Sequence, residues 1–253
     1  MLNFCAPTRA KLAFLAEWAL FLLLEIVIGA LNRPGQALAA GLPLVFFYIC
    51  GCLLAWIAGR GMHLGSYAGL LGAGMLLALL DQAAKLAVTQ GLGPNANLVL
   101  IPRGLVIEQS LNLHASWAAG QFNLDFLSVA LLSALSILLL LALAFGYRYY
   151  RANRRPSRWA DLAFLFLLGG VASALADQVL RGFTVDFIGL PGLVVADLKD
   201  IWLSLGIACL LAEALTAPPA DPQAVPLDLK GLLRFSAHET ADLIRRLRSD
   251  SRL

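Results

Sequence analysis

Six runs of mainly apolar residues, at about 11 to 31, 41 to 58, 66 to 88, 125 to 147, 160 to 181 and 198 to 216, dominate this chain. A bilayer core of about 30 Å takes a helix of roughly 20 apolar residues, so each run is long enough to cross it. Hydrophobic residues make up 60% of the sequence and charged residues 14%, with a mean hydropathy of +0.78. Soluble domains carry about a quarter charged residues, so the expectation is an all-α polytopic membrane protein. The first run contains Glu17 and Glu25 and no small-residue cleavage site before a soluble domain. It is expected to be a retained helix rather than a removable signal.

The distribution of Lys and Arg sets the expected orientation. Starting with the N-terminus inside, the internal segments hold Arg9, Lys11 and Arg60, then the arginine-rich YRYYRANRRPSR, then Lys230, Arg234, Arg245, Arg246, Arg248 and Arg252. The external loops hold little beyond Arg33 and Arg103. Positive residues favour the cytoplasmic side, so both termini are expected there. The arginine-rich loop lies between two spans, with no fold around it that reads nucleic acid, and none is expected as a partner. Cys5, Cys50, Cys52 and Cys209 show no metal-ligand spacing, so neither metal nor organic cofactor is expected.

Three parts follow along the chain. Residues 1–62 form a transmembrane hairpin with a turn at NRPGQ, residues 63–217 hold four spans, and residues 218–253 form a basic amphipathic tail after a Pro-rich break. The tail is expected on the inner leaflet or against a partner. Between the third and fourth spans, LVLIPRGLVIEQSLNL has the β-branched alternation of short strands, bounded by the turn cluster GLGPNAN.

Counting about 1.5 Å per residue from each helix start brings the ionisable residues to one face. The third span runs outward and carries Asp81 and Lys85 near its outer end, the fifth carries Asp177 and Arg181 at a similar level, and the sixth begins outside near Asp200. A charge at a helix centre costs about 2.5–3.5 kcal/mol on insertion scales, so these groups need partners or a wet cavity. Asp81 and Lys85 are spaced for an i, i+4 ion pair. Two carboxylates in a poorly hydrated pocket do not both ionise easily. Such a pair activates a water with one member and protonates a carbonyl oxygen with the other, which is peptide hydrolysis. A channel or transporter is disfavoured because all these charges lie on one side.

These residues resemble the lipoprotein signal peptidases, or signal peptidase II, which are four-span membrane aspartic proteases. LLDQAAKLAV resembles the family's Asp-x-x-x-Lys block through Asp81 and Lys85. LGGVASALADQVLRGFTVDFI resembles Gly-Gly-x-x-Gly-Asn-x-x-Asp-Arg followed by Gly and Val-Asp-Phe, through Gly169, Gly170, Asp177, Gly182, Val185, Asp186 and Phe187. ADLKDIWLSLG resembles the closing Phe-Asn-x-Ala-Asp block, with Asp200 matched by aligning on Gly206 and Asp197 by aligning on Ala-Asp. SLNLHASWAAG echoes Asn-x-Gly-Ala-Ala-Phe through Asn112, Ala115 and Trp117.

The resemblance implies a four-helix core with a small external β-rich segment, joined here to an N-terminal two-helix hairpin. It implies Asp177 and Asp200 as catalytic residues, with Asp81, Lys85, Asn112, Gln178, Arg181, Asp186 and Asp197 as substrate-binding or supporting residues. The implied substrate is a lipid-modified prolipoprotein, cut before its diacylglyceryl cysteine at the outer face of the bacterial inner membrane, among membrane lipids. Ala174 stands where the family has Asn, and Gln178 where it has Arg. A non-catalytic relative that binds lipoproteins or lipids, or scaffolds a membrane partner, is therefore the alternative expectation.

Overall fold

The computed structural model describes residues 5–29, 31, 36–59, 63–93, 96–113, 129–154, 157–217 and 228–250. The principal helices are α1 (Arg9–Val27), α2 (Ala37–Ala58), α3 (Tyr67–Gly91), α4 (Val129–Asn153), α5 (Arg158–Leu180), α6 (Leu198–Thr216) and α7 (Leu229–Asp250). Strands β1 (Asn97–Ile101) and β2 (Leu105–Asn112) follow α3, while β3 (Thr184–Leu190) and β4 (Val194–Ala196) separate α5 from α6.

Among the described residues four helices, α2 to α5, are long and apolar enough to cross a membrane, which makes this a multi-pass membrane protein. The other two expected spans do form helices of 19 residues. They fall outside that apolar set because α1 carries Arg9, Lys11, Glu17 and Glu25, and α6 carries Lys199, Asp200 and Glu213. Both are long enough to reach about 28 Å, and they pack on each other, with Glu17 of α1 accepting from Ser204 of α6.

Helix α5 is the centre of the bundle, with α3, α4 and α6 packed around it. Small residues let the backbones close in, as membrane helices require where no hydrophobic force drives them together. A Cβ at Gly169 would lie 2.8 Å from Leu77 Cβ and 3.0 Å from the Gly74 carbonyl on α3. At Gly170 it would lie 2.6 Å from Leu203 Cγ on α6 and 3.2 Å from the Lys199 carbonyl. Adjacent glycines thus draw α3 and α6 onto α5, one turn below the charges they carry. Gly169→Ala is expected to cost about 1–3 kcal/mol through overpacking, read as a lowered Tm in detergent; an unchanged Tm would contradict this contact.

The strands expected between α3 and α4 are present, and the sheet they begin is larger than the sequence pattern indicated. All four strands pair antiparallel in the order β1-β2-β3-β4. Asp186 lies on β3 opposite Ser110 of β2. The segment TVDFIGL is almost wholly buried, because it lies between two other strands and against α3 and α5. A left-handed Gly192 (φ 78°) turns the chain into β4, which leads directly to Asp197.

The N-terminal hairpin shares one apolar core with the rest of the bundle. Ala10, Ala13 and Phe14 of α1 and Phe47 of α2 pack with Trp159, Leu162, Ala163 and Phe166 of α5 and with Leu205, Ala208, Cys209 and Ala212 of α6. Gln36, just before α2, donates a hydrogen bond to the Gly192 carbonyl in the β3–β4 turn. Glu17 accepts a hydrogen bond from Ser204 of α6 at 3.2 Å, and no cation pairs with it among the described residues. At the opposite end of the bundle α7 lies along α4, with an Arg148–Glu239 ion pair and the Tyr149 and Phe235 rings 5.6 Å apart.

Candidate active site

Lys85 is the hub of the charged end. Its ammonium lies 2.7 Å from Asp81 Oδ2, 2.5 Å from Asp177 Oδ2 and 2.7 Å from Asp197 Oδ2, and all four side chains are buried. Asp81 also accepts hydrogen bonds from the Ser173 hydroxyl and, at 3.1 Å, from the Lys199 backbone N–H. The i, i+4 pair expected on α3 is therefore one part of a network spanning α3, α5 and α6.

Asp177 is saturated. Besides Lys85 on Oδ2, its Oδ1 accepts from Gln82 at 2.9 Å and from Arg181 at 3.0 Å, and Arg181 reaches Gln82 Oε1 at 2.5 Å.

Asp197 begins α6 as its N-cap. Its Oδ1 accepts from the Asp200 N–H at 3.0 Å, and Asp200 Oδ2 accepts in return from the Asp197 N–H at 3.3 Å, a reciprocal capping box. Asp197 Oδ2 receives Lys199 at 2.5 Å as well as Lys85. Lys199 in turn stands 3.7 Å from Asp200 Oδ1, 3.8 Å from Asp186 Oδ1 and 3.9 Å from Asp177 Oδ2.

Asp186 differs from its neighbours. Its Oδ2 accepts from Asn112 Nδ2 at 3.0 Å, across the β2–β3 pair, and its buried Oδ1 has no hydrogen-bond partner among the described residues. Burial pushes the Asp186 carboxyl above the ordinary aspartate range, against the opposing pull of the Lys199 cation and the Asn112 hydrogen bond. An unsatisfied buried carboxylate oxygen is costly, and it is the kind of defect expected where a substrate or water is to bind.

The carboxylates fall into two overlapping groups whose oxygens lie within 4.8 Å of one another: Asp81, Asp177 and Asp197, and Asp186, Asp197 and Asp200. Asp177 and Asp200 belong to different groups, with Asp197 the common member. The Asp200 side chain is 45% exposed at the rim. Three cations, Lys85, Lys199 and Arg181, face these five carboxylates, so the site keeps excess negative charge.

Of the residues expected at the site, Asp81, Lys85, Asn112, Asp177, Arg181, Asp186, Asp197 and Asp200 come together. Gln178 does not: it accepts a hydrogen bond from Ser136 of α4 at 3.1 Å, because one residue beyond Asp177 is about 100° further round the helix. Any turnover at this site is accordingly expected to survive Gln178→Ala within about twofold, as for substitutions away from a key contact; a loss comparable to that of an aspartate variant would contradict this. His114, Ala115, Ser116, Trp117 and Ala118 lie outside the described residues.

Sequence reasoning left out Gln82 and Ser173, and read Lys199 only as a pairing partner for the aspartates. Gln82 follows Asp81 inside an apolar run, and Ser173 stands one turn before Asp177, so their polarity at membrane depth was the available signal.

A family model described as signal peptidase (SPase) II matches residues 73–216, more than half of the chain. The chain belongs to the signal peptidase II family. A lipoprotein signal peptidase of Parasynechococcus marenigrum (strain WH8102) is 32% identical over 148 residues, which are 58% of this chain and 88% of that protein. The lipoprotein signal peptidase of Microcystis aeruginosa (strain NIES-843) is 31% identical over 137 residues, 53% of this chain and 83% of that one. A bacterial membrane enzyme solved by the in meso method at 1.9 Å resolution matches with a TM-score of 0.50 and 19% identity, covering 63% of this chain and 99% of its own. That likeness concerns the fold.

The signal peptidase II match begins inside α3 and ends with α6, so it takes in every charged residue of the site and leaves out the N-terminal hairpin and α7. Where the signal peptidase II pattern has Arg directly after its Asp, this chain brings Arg181 to the same carboxylate from one turn later.

Proposed function

We propose that this protein is a membrane aspartic endopeptidase that removes the signal peptide of lipid-modified prolipoproteins, with Asp186 and Asp197 as its reacting carboxylates. Family membership carries lipoprotein signal peptide processing in general. The cut before the diacylglyceryl cysteine, at the outer face of the bacterial inner membrane, is the finer part of the proposal. The outer face is supported by Arg148, Arg151, Arg154 and Arg158, which lie around the α4–α5 junction at the other end of these helices.

The observation that carries this reading is the buried, unpartnered Oδ1 of Asp186 in the same carboxylate group as Asp197. Asp177, implied as catalytic by the family pattern, lies outside the carboxylate group that contains Asp186 and is tied to Lys85, Arg181 and Gln82. Asp200 caps α6 from the rim. A water between Asp186 and Asp197 would be a nucleophile with a proton acceptor in reach. A lipid anchor in the outer leaflet would hold the scissile bond at this depth and supply orientation with few side-chain contacts.

The second reading, a non-catalytic relative that binds lipoproteins, is favoured by one contact: Lys199 lies 2.5 Å from Asp197 and neutralises a carboxylate that the chemistry needs. The two are separated in cells that have no other signal peptidase II and express only this chain. Conversion of lipidated prolipoprotein to the shorter mature form supports the peptidase. Accumulation of intact lipidated precursor at normal levels of the protein supports the binding relative.

A further inference from the structure

We propose that Lys199 is a catalytic residue of this site: its ammonium binds the oxygen of the scissile carbonyl while Asp186 takes the proton of the attacking water. The inference rests on the peptidase reading above and assigns stabilisation of the carbonyl oxygen to a side chain that the family pattern does not name.

Three contacts support it. An ammonium has three N–H donors; among the described residues Lys199 spends one, on Asp197. Its other carboxylate neighbours, Asp177, Asp186 and Asp200, are 3.7 to 3.9 Å away, beyond hydrogen-bond range. The unpartnered Oδ1 of Asp186 is thus 3.8 Å from an ammonium with donors to spare. A gap of that length, too long for a direct bond, is bridged when oxygen atoms of water and substrate enter it. Finally, Asp197 has no acid role open to it, because Lys85 and Lys199 share its Oδ2 and the Asp200 N–H takes its Oδ1. It faces the attacking water as a carboxylate, beside Asp186, and aims Lys199.

The step balances without any further reactant. Asp186 accepts a proton from water as the water oxygen bonds to the carbonyl carbon, and the carbonyl π electrons move to its oxygen, where the Lys199 ammonium stabilises the negative charge. As the tetrahedral intermediate collapses, the C=O bond re-forms, the C–N bond breaks and the departing nitrogen takes the proton from Asp186. The products are a new carboxyl end and a new amine. The groups facing Lys199 that titrate or carry charge are Asp81 and Lys85 of α3, Asp177 and Arg181 of α5, Asp186 of β3, and Asp197 and Asp200 beside it.

The test is kcat/KM against pH for the purified full-length chain acting on a lipidated prolipoprotein in detergent. A carboxylate pair that shares one proton stops working once that proton is lost, whereas an ammonium ordinarily keeps its proton to about pH 10. Wild type is therefore expected to stay active at about pH 9, and a profile that falls away near neutrality overturns the proposal. Lys199→Met is expected to lose about 10²–10³ in kcat, the effect of removing an oxyanion donor; a rate within a few-fold of wild type overturns it. Should that variant fold poorly, Lys199→Arg decides. Its guanidinium is still a charged donor, so it should keep measurable cleavage, and a folded but inactive Lys199→Arg overturns the proposal. Asp186→Asn, run in parallel, keeps the two ideas apart. If it cleaves like wild type, the carboxylate reading falls; if it is inactive while Lys199→Met is active, only the role of the lysine falls.

Discussion

Asp186→Asn is expected to leave lipidated prolipoprotein uncleaved in a protein that still folds. The substitution keeps the size and planarity of the side chain and retains an oxygen for the Asn112 bond, but it removes the buried carboxylate oxygen that has no hydrogen-bond partner among the described residues. General-base catalysis contributes about 10²–10⁴ in rate, so the turnover left should be at background. Folding should not suffer, because burial disfavours the charged Asp186 carboxylate and the amide relieves that cost. The measurement is the ratio of precursor to mature lipoprotein, with the membrane level and Tm of the variant as controls. Processing at the wild-type rate would remove Asp186 from the mechanism.

Lys85→Met is expected to damage the fold itself. Asp81, Asp177 and Asp197 all pair with this one ammonium and are buried with it. Breaking a buried ion pair from one side costs about 3–5 kcal/mol, and here three carboxylates lose a shared partner. Against a total stability of about 5–15 kcal/mol, the protein should lose much of its thermal resistance and accumulate poorly in membranes. Arg181 and Lys199 hold Asp177 and Asp197 in part, so the unrelieved loss falls on Asp81, left with Ser173, Gln82 and the Lys199 N–H. Removing charge at the other end of the contact should soften the effect: Lys85→Met combined with Asp81→Asn is expected to be more stable than Lys85→Met alone. A wild-type Tm for Lys85→Met would contradict the hub.

Much of this arrangement was legible in the chain. The apolar runs give the helices, and the spacing of Asp81 and Lys85 gives their ion pair. The β-branched alternation of LVLIPRGLVIEQSLNL gives β1 and β2. Asp186 was harder. TVDFIGL is short, its partner β2 lies over 70 residues away in sequence, and its burial comes from both neighbouring strands at once. Local pattern therefore reads it as a loop.

The division of labour among the aspartates was also hidden. Nothing in the spacing of Asp177, Asp186, Asp197 and Asp200 says which carboxylate two cations will occupy. That depends on Gln82 and Arg181 closing on Asp177, and on the capping box that turns Asp200 outward. The hairpin behaved similarly. Its composition marks it as membrane-embedded, while its shared core with α5 and α6 and its hydrogen bond to the β3–β4 turn are tertiary facts.

The central claim is that this chain cuts lipidated precursors with the Asp186 and Asp197 carboxylates. The most direct measurement is mass spectrometry of a lipidated prolipoprotein incubated with the purified full-length protein, wild type beside Asp197→Asn. The account predicts that wild type yields a product beginning at the lipid-modified cysteine together with the freed signal peptide, and that Asp197→Asn leaves the precursor intact. The same product at the same rate from both proteins would contradict it, as would an intact precursor with wild type.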